Sequence, residues 1–269
     1  MGIKPTMNCC LKDEHGKEYT IKEWVDYTIS CGFDTMEIPT HRLPEDLEEL
    51  DDVITYAQQK GFALSLHSPY GSNNITDTNI ENREKSIAQA KNSIDIAAKY
   101  GMRVVTFHPG RRSQEDEAGE EKWKLLLEIV ADIAAYAKEK KVRVGLENME
   151  RRRNELVYTI DDLNRFAEIG KDNPYFGLTL DFAHFSSHGI TDPDLKQLKL
   201  PIHNVHLSQG VEGKMHFPLT AENGMVDVDA VCRRLTECDY DGFAVFEQLG
   251  YQKESKKMVE DAVKAVNEV

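Results

Sequence analysis

The sequence predicts an α/β fold, a single (β/α)8 TIM barrel domain that occupies residues 1–269. Strand and helix signals alternate along the whole chain, without a linker or a break in composition. This alternation favours a parallel sheet in one domain. The chain has 269 residues, which is a typical length for one barrel. Eight strand–helix units in this length close most simply as a barrel.

The first four strands are predicted from short, mainly apolar runs at residues 3–8, 35–39, 62–66 and 103–107. Apolar side chains at helical spacing indicate an amphipathic helix after each strand. Thr20 and Glu23 form a capping box that starts the first helix, and Gly32 ends it. The second helix ends at Lys60 and Gly61.

The other four strands are predicted at residues 142–146, 175–180, 202–207 and 243–246. The acidic run 114–121 is interpreted as a solvated loop and the start of the fourth helix. Thr159 opens a helix that carries Leu163 and Phe166, and the closing helix carries apolar residues at 259–266.

The composition limits the classes of function. A net charge of −14 and a pI near 5.1 argue against broad binding to nucleic acid or to anionic membranes. No apolar run approaches the roughly 20 residues of a membrane span, and the N-terminus lacks the apolar core of a signal peptide. Five cysteines without a Cys-x-x-Cys pair indicate free thiols, so we expect a cytoplasmic protein. The sequence leaves the oligomeric state open.

The stretch 177–184 is the main functional signal, because it predicts a buried strand that ends in Asp181, with His184 three residues later. An ionised carboxylate in such a place is costly unless a cation or hydrogen bonds compensate it. Asp181 is interpreted either as a helix N-cap beside a satisfied histidine or as part of a functional site. Five other strands end in a similar way, which favours the second interpretation. The six strand-end residues are His67, His108, Glu147, Asp181, His206 and Glu247.

These six residues predict a metal site. They are separated by steps of 41, 39, 34, 25 and 41 residues, each about one strand–helix unit, and the carboxyl ends of barrel strands meet on one face. Three carboxylates and three imidazoles so placed would repel one another or stay poorly solvated without a cation. Nitrogen and oxygen ligands suit Zn, Mn, Co or Fe better than Ca. We therefore expect a divalent ion, first Zn or Mn, with Mg, Co and Fe as alternatives. The histidines expected to have no chemical role are His15, His41, His188 and His203.

The strand-end motifs also carry a family resemblance. They are Leu66-His-Ser-Pro-Tyr70, Phe107-His-Pro-Gly110, Leu146-Glu-Asn148, Leu180-Asp-Phe-Ala-His184, Val205-His-Leu207 and Phe246-Glu-Gln248. Together they resemble the xylose-isomerase-like superfamily, which includes sugar isomerases, sugar epimerases and the type IV apurinic endonucleases. The resemblance implies a (β/α)8 barrel in which one divalent metal is held by Glu147, Asp181, His206 and Glu247. It also implies that Glu147 and Glu247 are the acid/base pair that moves a proton beside a carbonyl.

The endonuclease branch is an alternative, because several residues match its additional zinc ligands and its DNA-facing tyrosine. The matching residues are His67, Tyr70, His108, His184 and His216. Lys214 stands where that branch has an acidic metal ligand, and residues 215–227 are more similar to the isomerase-like members. The free-ketose epimerases are not an exact match either, since Glu212 replaces an arginine and Arg153 replaces a substrate-binding glutamate.

Basic clusters after three strands indicate that the substrate carries a negative charge. They are Arg111-Arg112, Arg151-Arg-Arg153 and Lys214. Arginine binds phosphate or carboxylate through two points, although these arginines could instead pair with the acidic residues 115–121. The residues predicted to contact a small, carbohydrate-like and anionic substrate are His67, His108, His184, Arg153, Lys214 and His216.

Three functions follow from these observations. The first is a metal-dependent isomerase or epimerase of a small sugar or sugar phosphate, in which Glu147 and Glu247 transfer a proton. The second is a zinc-dependent apurinic endonuclease, although the net charge argues against nucleic acid as a substrate. The third is a barrel that binds a metal without catalysis, which the intact glutamate pair argues against.

Overall fold

Eight parallel strands close into a barrel, which confirms the predicted fold. The structure is a computed structural model that describes residues 2–113, 119–152, 154–212 and 214–268. The strands among these residues are β1 (Lys4–Asn8), β2 (Thr35–Pro39), β3 (Ala63–His67), β4 (Val105–Phe107), β5 (Val144–Glu147), β6 (Phe176–Asp181), β7 (Ile202–Leu207), β8 (Gln209–Val211), β9 (Lys214–Phe217) and β10 (Phe243–Phe246). Around the barrel the order is β1-β10-β7-β6-β5-β4-β3-β2, and β8 and β9 form a separate two-stranded sheet. Consecutive barrel strands are therefore neighbours in space.

Most of the described helices begin after a polar residue whose side chain caps the first turn. Those of the described residues are α1 (Ile21–Ser30), α2 (Leu47–Gln59), α3 (Ile80–Tyr100), α4 (Gly119–Lys140), α5 (Ile160–Asn164), α6 (Ala167–Gly170), α7 (Phe182–Ser187), α8 (Val228–Glu237) and α9 (Gln252–Asn267). The predicted capping box of Thr20 and Glu23 is confirmed at the start of α1. Thr159 and Asp162 form a second one at the start of α5. Of the acidic run 114–121, residues 114–118 lie outside the described part of the chain, and α4 begins at residue 119.

The predicted strand boundaries are correct to within one or two residues. The largest differences are at β5, which starts at residue 144 instead of 142, and at β4, which starts at residue 105 instead of 103. Parallel hydrogen bonds nevertheless extend to the predicted start of β4, since Arg103 N donates to Leu64 O at 2.8 Å and Leu66 N donates to Val104 O at 3.0 Å. The differences therefore concern boundaries and leave the topology unchanged.

Small polar side chains pair inside the barrel. The hydroxyl oxygens of Thr6 and Thr35 lie 2.9 Å apart, as do those of Thr106 and Thr179. All four residues are fully buried. A Cβ added at Gly145 would lie only 2.2 Å from Thr179 Oγ1, so β5 approaches β6 where only glycine fits. The interior of the barrel thus contains hydrogen-bonded polar side chains below the strand ends.

A short hairpin that the sequence analysis did not predict follows β7. Its strands β8 and β9 are antiparallel, and its turn holds Glu212 at a φ of 49°. β9 carries Lys214, which is exposed, and His216, whose φ is 67°. The hairpin therefore brings His216 to the mouth of the barrel.

The histidines that were expected to have no chemical role lie outside the strand-end face or on its rim. His15 and His41 are exposed. His188 stacks on Tyr158 with ring centroids 4.3 Å apart, and the buried His203 has Nδ1 3.0 Å from Val144 O. The five cysteines are free thiols. Among the described helices, none combines the length and the apolar character that crossing a membrane requires.

Candidate metal centre

Four side chains from neighbouring strands converge at one point on the carboxyl-terminal face of the barrel. Glu147 ends β5, Asp181 ends β6, His206 lies near the end of β7, and Glu247 follows β10. Each offers one ligand atom, and these atoms all lie within 4.8 Å of one another. The structure thus brings together the four residues that are predicted from the sequence as metal ligands.

Asp181 uses one carboxylate oxygen to cap a helix, and its other oxygen has no hydrogen-bond partner in the described chain. Its Oδ1 accepts a hydrogen bond of 2.7 Å from the backbone N–H of His184, which makes Asp181 the N-cap of α7. Its Oδ2 is buried and makes no hydrogen bond within the described chain. Burial accordingly raises the pKa of Asp181, and the charge of His184 offsets this only in part.

Glu247 also has a buried carboxylate oxygen that makes no hydrogen bond within the described chain. This oxygen, Oε2, lies 3.3 Å from His206 Nδ1 and 3.6 Å from His216 Nδ1. Two buried carboxylate oxygens without hydrogen bonds are costly unless a cation lies between them. A donor set of one imidazole nitrogen and three carboxylates suits a divalent ion such as Zn or Mn. The residues therefore fit a metal.

His206 uses its two ring nitrogens differently. Nδ1 lies 3.0 Å from Glu147 Oε1, among the candidate ligands. Nε2 lies 2.9 Å from Glu37 Oε1, on the side away from them. Burial alone lowers the pKa of His206, but the charges of Glu147 and Glu37 outweigh it and raise that pKa well above its usual value. Without a metal, the imidazole is thus held as a cation between carboxylates.

Glu147 also contacts the two histidines from β3 and β4. Its Oε2 lies 3.3 Å from His67 Nε2 and 3.2 Å from His108 Nε2. Burial raises the pKa of Glu147, but the surrounding imidazoles outweigh it and lower that pKa well below its usual value. His67, Glu147 and His206 form a second group with metal-binding geometry. Glu147 is therefore placed to bridge two cation positions.

His184 and His216 complete the ring of imidazoles. His184 is buried, and its Nδ1 lies 2.8 Å from Asn148 O. Burial lowers its pKa, but the charges of Asp181 and Glu147 outweigh this and raise the pKa to about 9. The His216 ring lies 5.5 Å from that of His184, and its side chain is 41% exposed. Both rings border the open side of the centre.

A cavity of about 390 Å³ opens above the centre. Its lining includes His108, His184, His216 and Glu247, together with polar and charged residues from the strand-end loops. The basic residues in the lining are Arg42, Arg111 and Arg152. The site is thus large enough for a small, polar substrate beside the metal ligands.

The arginines of the lining differ in how their charge is used. Arg152 forms an ion pair with Glu150. The Arg111 guanidinium donates to the backbone oxygens of Gly71 at 2.8 Å and of Asn73 at 3.2 Å. Within the described ranges, Arg42 has no ion pair with a carboxylate, and its Nη1 donates to Cys10 O at 2.9 Å. Its positive charge is therefore less compensated than that of Arg152, which has a carboxylate partner.

The two other predicted substrate contacts are Arg153 and Lys214. Arg153 lies outside the described residues. Lys214 is exposed on the hairpin and does not line the cavity. Their roles stay predictions.

Some residues of the site were missed because they do not end a strand. Glu37 is in the middle of β2, and Arg42 lies in a short 3-10 helix after it. Glu150 and Glu155 come from the loop after β5, where burial and then the charge of Glu150 raise the pKa of Glu155 to about 7. The alternation of Thr35 and Glu37 along β2 was the signal available for Glu37.

Comparison with known proteins identifies the family. The model of the xylose isomerase-like TIM barrel family matches residues 25–269. The chain belongs to the xylose isomerase-like TIM barrel family. Two uncharacterized proteins of Methanocaldococcus jannaschii, MJ1188 and MJ1311, are similar at the sequence level. The first is 26% identical over 232 residues, covering 84% of this chain and 82% of its own, and the second is 25% identical over 253 residues, covering 88% and 83%.

Solved structures with the same architecture cover nearly the whole chain. A D-tagatose 3-epimerase-like protein superimposes with a TM-score of 0.83 at 22% identity, covering 98% of each chain. D-psicose 3-epimerase from Clostridium cellulolyticum H10, solved with D-tagatose, has a TM-score of 0.73 at 17% identity and covers 98% of this chain and 97% of its own. At these identities the likeness shows the fold.

Proposed function

We propose that the protein is a divalent-metal-dependent isomerase or epimerase of a small sugar or a sugar-phosphate-like substrate. The observation that carries the proposal is the position of two glutamates within one four-residue ligand group, of which Glu247 lines an open cavity. Glu147 and Glu247 both approach Nδ1 of His206, at 3.0 and 3.3 Å. The epimerase names of the structural neighbours support the same class of reaction.

The residues divide the chemistry between them. When bound, the ion supplies Lewis-acid polarisation of a substrate carbonyl and the neighbouring hydroxyl. Glu247, with a side chain 20% exposed, takes the proton from the carbon next to the carbonyl. Glu147, whose side chain is 1% exposed, delivers a proton from the other side, with His67 and His108 holding its second oxygen. His184 and His216 face the substrate hydroxyls.

A basic residue of the lining holds the anionic end of the substrate. Arg42 supports this role because no carboxylate of the described residues compensates its charge. Arg153 and Lys214 remain the contacts that the sequence predicts for the same end. An arginine fixed by one hydrogen bond can still offer its other N–H groups to a phosphate or carboxylate.

Solvent exchange tests the proposed reaction without knowledge of the natural substrate. The protein, loaded with Mn²⁺ or Zn²⁺, is incubated in D2O with a panel of ketoses and ketose phosphates. Nuclear magnetic resonance then detects deuterium at the carbon beside the carbonyl, together with any new epimer or isomer. We expect exchange with at least one substrate, and its loss in Glu247→Gln but not in Glu254→Gln, a remote control at the start of α9. No exchange with any member of the panel would contradict the proposal.

A second candidate is a zinc phosphodiesterase that acts on abasic DNA. The observation in its favour is that His67 and His108 both lie within 3.3 Å of Glu147 Oε2, so that Glu147 could bridge two ions. The net charge of −14 disfavours a duplex, which carries about one phosphate charge per 1.7 Å of its axis. Metal-dependent cleavage of an abasic duplex at physiological salt, with two or three zinc ions per chain, would favour this candidate over the isomerase.

A further inference from the structure

Glu37 is a charged residue inside the barrel that the proposed reaction does not use. Its side chain is held by groups from two other strands, and the residue is 2% exposed. Oε2 accepts hydrogen bonds from Asn204 Nδ2 at 2.8 Å and from Ser65 Oγ at 3.1 Å. Oε1 lies 2.9 Å from His206 Nε2. Glu37 does not line the cavity, and it lies at the ring nitrogen of His206 that points away from Glu147 and Glu247.

The hydrogen bonds around Glu37 decide which nitrogen of His206 carries a proton. Asn204 Nδ2 lies 3.3 Å from His206 Nε2, but its two hydrogens already point to Glu37 Oε2 and to Thr106 Oγ1, at 2.8 and 3.0 Å. The remaining neighbour of Nε2 is Glu37 Oε1, and a carboxylate can only accept. Nε2 must therefore donate. In a neutral imidazole, a proton on Nε2 leaves the lone pair on Nδ1, the nitrogen that faces Glu147 and Glu247.

We propose that Glu37 is a positioning residue, which fixes His206 in the tautomer protonated at Nε2 so that Nδ1 can bind a divalent ion. The inference rests on the proposed metal role of His206. A carboxylate behind a metal-binding histidine sets the orientation of the ring and raises its basicity as a ligand. The two hydrogen bonds from Asn204 and Ser65 hold that carboxylate in place, and they compensate part of its buried charge.

The substitution Glu37→Gln separates this role from simple packing, because it keeps the shape and turns one acceptor into a donor. If the amide group faces His206, Nε2 has to accept, the proton moves to Nδ1, and metal binding is blocked. If the amide group faces Asn204 instead, two donors meet inside the barrel. The first arrangement removes the tautomer that binds a metal. The second keeps it, but it places two buried donors face to face and removes the negative charge that raises the basicity of His206 as a ligand.

The experiment measures zinc binding and the tautomer directly. Zn²⁺ affinity is determined by competition with a chromophoric chelator, first for the wild type and then for Glu37→Gln. Removing the outer partner of a metal-binding histidine weakens binding by about 10–100-fold, and we expect a loss in this range. Long-range ¹H–¹⁵N spectra of the zinc-loaded wild type should show the proton of His206 on Nε2.

Two further variants keep the inference falsifiable. Thr35→Val removes a buried hydroxyl of the same strand, which donates to Pro5 O at 3.0 Å, and should leave the zinc affinity unchanged. Should Glu37→Gln fail to fold, Ser65→Ala removes one hydrogen bond to Glu37 and should weaken zinc binding to a smaller extent, with the same tautomer. Wild-type zinc affinity in Glu37→Gln or in Ser65→Ala, or a proton on Nδ1 in the zinc-loaded wild type, would overturn the inference alone. A wild type that binds neither zinc nor manganese would overturn the proposed function with it.

Discussion

Asp181 allows a test in which one substitution shifts the stability of the metal-free and the metal-loaded protein in opposite directions. Burial raises the pKa of Asp181, and the charges of Glu247 and Glu147 add to that effect. An acid whose pKa is higher in the folded than in the unfolded state destabilises the fold once the pH is above both values. Asparagine removes the charge and remains a good N-cap for α7. We therefore expect metal-free Asp181→Asn to be at least as stable as the metal-free wild type at neutral pH.

The sizes of the two effects follow from the geometry. Two like charges no more than 4.8 Å apart, as in the ligand group, repel by at least about 3.5 kcal/mol at an effective dielectric constant of about 20. The gain from removing the charge of Asp181 is smaller than the summed repulsion, because the imidazolium of His206 neutralises part of it. In the wild type, an ion at 100 times its Kd adds about 2.7 kcal/mol to the free energy of unfolding, or roughly 5–10 °C in Tm for a chain of this size.

The assay is thermal unfolding followed by circular dichroism, after treatment with a chelator and again with Mn²⁺ or Zn²⁺ at 100 times the wild-type Kd. The wild type should gain the full shift in Tm, and Asp181→Asn should gain little. Asp46→Asn is the matched control, since Asp46 caps α2 on the surface, away from the ligand group. The reasoning is refuted if Asp181→Asn shows the wild-type metal shift, or if it is much less stable than the wild type without metal.

Three further predictions concern the cavity, the barrel interior and the buried histidine. Arg42→Met should raise the KM for an anionic substrate by about tenfold or more, with little change in kcat, as measured by steady-state kinetics. The reason is that a hydrogen bond to a charged group contributes about 1.5–3 kcal/mol, and this one is made in the ground and transition states alike. Gly145→Ala should lower the free energy of unfolding in urea by about 1–3 kcal/mol, since its Cβ would lie 2.2 Å from Thr179 Oγ1. Burial lowers the pKa of His203 to about 4. The neutral, buried His203 therefore contributes its full stability above the unfolded pKa of about 6.5. As the pH falls towards 4, the free energy of unfolding decreases by at most roughly 3 kcal/mol, because protonation favours the unfolded chain. His203→Gln should therefore flatten the pH dependence of the urea midpoint between these two values.

The strand-end residues could be predicted because the topology leaves little freedom. Once eight strands run parallel in one barrel, every carboxyl end lies on the same face, and residues such as Glu147 and Glu247 must meet. The loops were harder to predict. Arg152 lines the cavity, but Lys214 on the hairpin does not, and no periodicity in the sequence distinguishes two basic residues of connecting segments. Their positions depend on tertiary pairing, such as the antiparallel contact of β8 with β9.

Glu37 shows why a charged residue inside a strand is easily missed. β2 is buried along its whole length, so its composition alone predicts a core strand. The role of Glu37 can be inferred only from its three partners, which are Ser65 on β3 and Asn204 and His206 on β7. A single sequence gives the inward direction of Glu37 through alternation, but it does not identify partners as far as 169 positions away along the chain.

Asp181 combines the two interpretations that the sequence left open. The N-cap hydrogen bond uses Oδ1 and holds the side chain in one orientation, because the donor is the backbone of α7. That orientation leaves Oδ2 buried, without a hydrogen bond among the described residues, and within the group of candidate ligands. Capping therefore does not compete with metal binding, since a carboxylate has two oxygens and the helix needs one. The cap fixes the ligand before a metal arrives, which reduces the conformational entropy that binding would otherwise cost.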